Sequence, residues 1–232
     1  MKNSLLPSIA WHYTTALGMA GINDTGCVSL ATHGIGPNEK PVVWFSTNSS
    51  LEPTIREVTF ARADGSYFRA KTIAEYRIAG LGLYRIALET SKLHRWVDLL
   101  KTAGISHTRR RDLERTAKKA GSLPYEWHGR VTPLRLTEAA GVDYYDGKVW
   151  CSLRLEQISQ RLVIEQKTLT PLLERMIFGR RADAMPINSQ TLGSEMRCLA
   201  EDRRAAARHQ LVAESVTQNS LEGPDTIRDT PF

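Results

Sequence analysis

The sequence predicts an α+β fold over residues 1–152, a small mixed or antiparallel split sheet with flanking helices, followed by a helical tail over 153–217. Three observations predict it. Short β-branched and aromatic runs alternate with short helical patterns up to about residue 150. All five Trp and all seven Tyr lie at or before Trp150, and large aromatics dominate core burial, so the main core ends there. Charge divides at the same place. The chain carries 31 Lys and Arg against 25 Asp and Glu, but eleven of each follow residue 152, so the whole excess of +6 belongs to the domain. The 41% hydrophobic and 24% charged content exclude a wholly disordered chain.

The elements follow in order. Residues 9–14 (Ile-Ala-Trp-His-Tyr-Thr) are rich in strand formers. Residues 15–24 read as a short helix capped by Thr15 and stopped by Gly26, and 27–31 as a second short strand. A Gly- and Pro-containing loop leads to the clearest strand, 41–46 (Pro-Val-Val-Trp-Phe-Ser), whose unbroken apolar run suits burial on both faces. Residues 58–68 read as a hairpin turning at Asp64-Gly65. A helix over 72–79 ends at Gly80, and a strand with alternating character follows over 82–88. Helices over 93–102 and 108–120 are joined by Ala-Gly-Ile-Ser. Two further strands cover 127–134 and 142–150, the second bracketing Asp146-Gly147.

Leu155, Ile158, Leu162, Ile164, Leu169, Leu172, Leu173, Met176 and Ile177 then recur at helical spacing until Gly179. Residues 180–190 read as a linker, 192–216 as a long charged helix, and 218–232 as a disordered end. A charge-balanced tail with an apolar stripe suits a homodimer or partner contact better than a membrane surface, which selects excess Lys and Arg. No apolar run reaches the roughly 20 residues of a membrane span, and Leu5 to Ala10 is too short for a signal-peptide core, so a cytoplasmic location is expected. Cys27, Cys151 and Cys198 share no metal-ligand spacing, so reduced thiols and no metal site are expected.

Trp11-His12-Tyr13-Thr14-Thr15, followed by a helix and a Gly, resembles the opening of the ADP-ribosyltransferase-like fold, where a first strand carries His-x-Thr. Pro41-Val-Val-Trp-Phe-Ser-Thr resembles that family's second motif. WHYT, PVVWFSTN, EPT and a later EW segment also resemble a group of bacterial and mobile-element proteins. The resemblance implies NAD as substrate and ADP-ribosyl transfer to a macromolecular acceptor, nucleic acid or protein. Cleaving the nicotinamide–ribose bond builds positive charge on the sugar, which a neighbouring carboxylate stabilises.

By the same resemblance His12 holds the NAD ribose, Thr14 supports the strand or the nicotinamide end, Tyr13 or Trp44 lines the nicotinamide pocket, and Ser46 marks the second motif. Glu126, in Pro-Tyr-Glu-Trp-His-Gly, is the expected catalytic carboxylate, with Glu52 and Glu138 as alternatives. Tyr13 stands where the family often has Gly, and no Gln-x-Glu or Glu-x-Glu pair is present. Without the resemblance, His12 reads as a hydrogen-bonded semi-buried histidine and Trp44 as core.

Residues 107–119 carry six Lys and Arg (Arg109, Arg110, Arg111, Arg115, Lys118, Lys119) against Asp112 and Glu114. Helix, Gly-containing turn and basic helix is helix-turn-helix spacing. This run is the second candidate site, a nucleic-acid contact in a non-catalytic binding module. The plain alternative is a solvated helix with its own i,i+4 pairs, Arg110 with Glu114 among them.

Overall fold

The computed structural model describes residues 8–32, 34–57, 59–61 and 67–178. The first strand, β1 (Ile9–Thr15), runs straight into α1 (Ala16–Thr25). Thr15 caps that helix by accepting from the Gly18 N–H, and Gly26 ends it at a φ of 68°, in the left-handed region a glycine occupies without strain. β2 is only Cys27–Val28, and Ala31 makes a single bridge to Val42. β3 (Val43–Ser46) is followed by a 3₁₀ turn, Pro53–Glu57, and by the hairpin strands β4 (Thr59–Ala61) and β5 (Tyr67–Arg69). The expected Asp64-Gly65 turn lies outside the described residues.

Thr72 caps α2 (Ile73–Ala79) through the Glu75 N–H. β6 (Leu83–Glu89), the two-residue β7 (His94–Arg95), α3 (Trp96–Thr102) and α4 (His107–Ala120) follow, the last capped by Ser106 and closed by Gly121. The expected strand over 127–134 is two strands, β8 (Trp127–Arg130) and β9 (Leu134–Arg135). Pro133 between them has no N–H for a ladder. β10 (Gly141–Tyr145) and β11 (Trp150–Leu153) turn on Asp146, whose Oδ1 accepts from the Lys148 and Val149 N–H groups at 2.7 and 2.8 Å.

Seven strands form one sheet in the order β11-β10-β6-β1-β3-β8-β7, with every pairing antiparallel. It is larger than the sheet expected from sequence; β1 pairs with β6 along its whole length but meets β3 through a single pair, Trp11 with Ser46, so the two halves join at one point. β2 and β9 form a separate ribbon, as do β4 and β5. β1 is the middle strand of the seven. β6 beside it is buried along six of its seven residues, not on alternate ones, so both its faces are covered.

Two apolar clusters flank the middle of the sheet. One joins Val42, Trp96, Leu99, Ala117 and Trp127; the other joins Leu51, Tyr76 and Leu83, with Tyr13 and Ile55 against it. α3 lies close on β8 because position 129 is glycine: a Cβ there would stand 2.6 Å from Val42 Cγ1 and 2.8 Å from Leu99 Cδ2.

The helix expected in the tail forms as α5 (Ile158–Phe178) and packs on α1 and α2. Ile158, Glu165, Leu169 and Leu173 are buried by that packing. The contact boundary therefore does not fall at residue 152: α5 belongs to the same compact unit as the sheet. Part of its apolar side is spent on the domain, while Val163, Ile164 and Leu172 stay exposed. The expected linker and second tail helix lie outside the described residues. Among the described residues, no helix is long and apolar enough to cross a membrane.

Candidate active site

A cavity of about 220 Å³ opens on the middle of the sheet, between the two apolar clusters. Trp11, His12 and Tyr13 of β1, Trp44, Phe45 and Ser46 of β3, and Trp127 of β8 line it from the sheet. Register partners Trp11, Ser46 and Trp127 share one face of the sheet with Tyr13 and Trp44, whereas His12 and Phe45 alternate to the other, where their rings pack 5.8 Å apart. Glu52, Thr54 and Ile55 close it from the segment after β3, and Leu113 and Thr116 from α4. Half of the lining residues, His12 included, carry aromatic rings, and the two ionisable side chains besides Tyr13 are His12 and Glu52.

His12 Nδ1 lies 2.9 Å from the Trp44 carbonyl, which only an N–H at that position satisfies. Burial lowers its pKa, and the bond to Trp44 offsets part of that shift. The neutral imidazole therefore donates from Nδ1 and keeps the Nε2 lone pair for another partner. Tyr13, beside it, has its pKa raised, chiefly by burial. Its hydroxyl donates to the Asn48 carbonyl.

Glu52 is 6% exposed. One carboxylate oxygen, Oε1, receives four donors: the Thr54 N–H at 3.3 Å, the Thr54 hydroxyl at 2.9 Å, the Trp127 indole N–H at 3.2 Å, and the Ser122 hydroxyl. The other, Oε2, is buried without a partner among the described residues. A buried polar oxygen left unpaired is costly and marks a place where a ligand or strain is involved.

The segment that carries Glu52 is fixed to the sheet by its own backbone. Asn48 O accepts from Tyr13, Ser49 O from Arg85, and Ser50 O from the Trp150 indole at 2.9 Å. The Thr47 N–H donates to Glu126 O at 3.0 Å. Arg85 is itself held by a buried pair with Asp143 at 2.8 Å and stacks between Trp11 and Trp150, 3.7 and 4.4 Å from the ring centroids. Trp127 and Trp96 pack edge to face, and the Trp96 indole donates to Glu114 of α4 at 3.0 Å. Glu114 also takes the Arg110 guanidinium at 2.8 Å; chiefly that bond, and then the Trp96 bond, lower its pKa.

Of the residues expected from sequence, His12, Tyr13, Trp44 and Ser46 meet in the cavity. Thr14 lies against α1, where a Cβ on Gly18 would stand 2.1 Å from its Oγ1. Glu126 is not among the lining residues; its backbone carbonyl anchors Thr47 and accepts from His128 Nδ1. Of the two alternatives, Glu52 lines the cavity, and Glu138 does not but pairs with Arg130 at 3.2 Å. The Glu-Pro-Thr context of Glu52 was visible in the sequence, but Ser122 and Trp127, which hold it, lie 70 and 75 residues away. Arg85 and Asp143 were not singled out, although a lone Arg in the apolar run Leu83–Leu88 is a signal for a buried partner.

Among the basic residues, Arg110 pairs with Glu114, Arg109 lies 4.0 Å from Glu39, and Arg115 lies 3.3 Å from Asp112. Arg111, Lys118 and Lys119 have no ion pair among the described residues. Among those residues too, no group of three His, Cys, Asp or Glu is placed to hold a metal. Comparison with protein-family models, curated proteins and solved structures gives no match.

Proposed function

We propose that the cavity binds the nicotinamide–ribose end of NAD and cleaves the bond between them, transferring ADP-ribose to a macromolecular acceptor. One observation carries the reading: His12, with Nδ1 engaged by the Trp44 carbonyl, and the buried Glu52, whose Oε2 has no partner among the described residues, line the same cavity. Trp11, Tyr13, Trp44 and Trp127 suit a flat cationic ring such as the pyridinium of NAD, which aromatic faces attract. His12 Nε2 accepts from a ribose hydroxyl. Glu52 stabilises the positive charge that builds on the ribose as the bond breaks. The bonding pair leaves with nicotinamide, whose ring nitrogen becomes neutral. An acceptor O–H or N–H then attacks the sugar carbon and gives its proton to Glu52 or water. Enclosed ligand pockets run from about 300 to 1,000 Å³. A cavity of about 220 Å³ therefore encloses the nicotinamide end and leaves the adenylate outside.

Nicotinamide release from labelled NAD tests the reading. His12→Ala and Glu52→Gln are each expected to lower the rate by about 10² to 10³, the usual effect of removing one group that stabilises developing charge. Glu126→Gln is expected to stay within about threefold of wild type, because its part is played by a backbone carbonyl. A wild-type protein that releases no nicotinamide, or a Glu52→Gln variant as fast as wild type, overturns the reading.

A further inference from the structure

The basic helix α4 has two faces with two jobs. At about 100° per residue, Leu113, Thr116 and Ala117 share one side. Leu113 and Thr116 line the cavity and Ala117 is buried in the core. Arg111, Arg115 and Lys118 share the opposite side, and all three are exposed. The carboxylates of this helix do not neutralise that stripe. Glu114 is spent on Arg110 and Trp96, and Asp112 reaches only Arg115, through a solvent-exposed contact. Lys118 and Lys119 also complement the helix dipole, but that accounts for the last turn alone. Just past the end of the helix stand two exposed apolar side chains, Leu123 and Tyr125, the latter 73% exposed.

We infer that the outer face of α4 binds a single strand of nucleic acid, with phosphates on Arg111, Arg115 and Lys118 and an unpaired base stacked on Tyr125. Arg111 to Lys118 spans about 10 Å at 1.5 Å per residue. Phosphates follow one another every ~3.4 Å along a strand of a duplex and somewhat further apart when the strand is extended, so the stripe meets two or three of them. An exposed ring a few residues beyond a cationic helix face supplies the two contacts that hold single strands, since every base has a face to stack. A lipid surface fits less well. A membrane helix inserts an apolar side beside its cations, and the apolar side of α4 is already buried in the fold. An acidic protein would need apolar anchors among the cations, and the stripe has none between Arg111 and Lys118.

The cavity lies one helix diameter, about 10–12 Å, from this face. The inference thus rests on the proposed reaction in one respect: it names nucleic acid as the acceptor class. The binding test is independent of the chemistry, because it needs no NAD.

Fluorescence anisotropy of the full chain with a labelled mixed-sequence 20-nucleotide single strand, over a range of salt, tests the inference. Wild type should bind with a strong salt dependence. Arg111→Ala/Arg115→Ala/Lys118→Ala should weaken binding at least tenfold at low salt and reduce the log–log salt slope by about 2, at ~0.7 per phosphate on a single strand. Tyr125→Ala should weaken the single strand about tenfold and leave a duplex of the same length unchanged. Thermal unfolding of each variant at the wild-type midpoint shows that the fold is intact. Absence of wild-type binding, a triple variant that binds like wild type, or a Tyr125→Ala variant with undiminished single-strand binding each overturns the inference. So does equal binding, with the same loss in the triple variant, to poly-glutamate or to anionic vesicles.

Discussion

His12 has one ring nitrogen committed to the Trp44 carbonyl, and burial outweighs that bond in setting its protonation. The consequence for stability has a definite sign. An unfolded histidine takes up its proton as pH falls through about 6.5. The folded chain resists that proton until a lower pH, so the unfolded state binds more protons in between. Stability contributed by His12 is therefore complete above pH 6.5 and is lost on acidification, at up to about 1.4 kcal/mol per pH unit until the folded pKa is reached. Denaturant midpoints of wild type and His12→Gln at pH 7.5 and 5.5 measure this. Wild type should lose more stability than the variant over that interval; equal losses would refute a neutral buried imidazole. The His-x-Thr pattern made His12 legible from sequence, because the signal sits within one strand. Which carboxylate lines the cavity was not so easily ranked. Glu52 and Glu126 each sit in a plausible context, and the choice depends on which one Ser122 and Trp127 reach across 70 or more residues.

At the scale of elements, the cavity depends on how closely α3 and α4 approach the sheet. Three indoles, Trp44, Trp96 and Trp127, set that distance with ring centroids 5.3 to 6.4 Å apart, and Gly129 allows it. Gly129→Ala places a methyl group 2.6 Å from Cγ1 of the stiff Val42 side chain, 2.8 Å from Leu99 Cδ2 and 3.2 Å from the Val43 carbonyl oxygen. The expected cost is about 1–3 kcal/mol, typical of an overpacked core, read as a lower midpoint in urea. A midpoint equal to wild type would mean that α3 is free to move off β8. The capped helices were legible because their signals are local: Thr15 with Gly26, Thr72, and Ser106 with Gly121. Strand ends were less legible. β7 is two residues at a sheet edge, created by pairing with β8 and not by its own pattern, and Pro133 divided a run that propensity alone joined. The loop before Glu52 is polar in sequence and rigid in structure, because its carbonyls are claimed by Tyr13, Arg85 and Trp150 from three different strands.

At the scale of the whole molecule, the question is whether α5 is an appendage or a part of the folding unit. Aromatic and charge distributions placed a boundary near residue 152, since both change there. Neither quantity records what the helix after that point packs on. Glu165 of α5 is 2% exposed and sits between two guanidiniums, Arg77 of α2 at 2.8 Å and Arg161 one turn back on α5. Arg161 in turn lies over the ring of Tyr144 on β10, 3.7 Å from its centroid. Removing the carboxylate leaves two part-buried cations facing each other, which typically costs about 3–5 kcal/mol. Because all five Trp lie at or before position 150, tryptophan fluorescence reports on the sheet and not on α5 itself. Glu165→Ala should therefore lower the fluorescence-detected urea midpoint, in step with the helical signal in far-ultraviolet circular dichroism. The exposed Lys167→Ala on the same helix should change it by less than about 0.5 kcal/mol. If the tryptophan transition of Glu165→Ala stays at the wild-type midpoint while helical signal is lost separately, α5 is an independent tail. Coincident, lowered transitions make it the helix that covers α1 and α2 and completes the fold around the cavity.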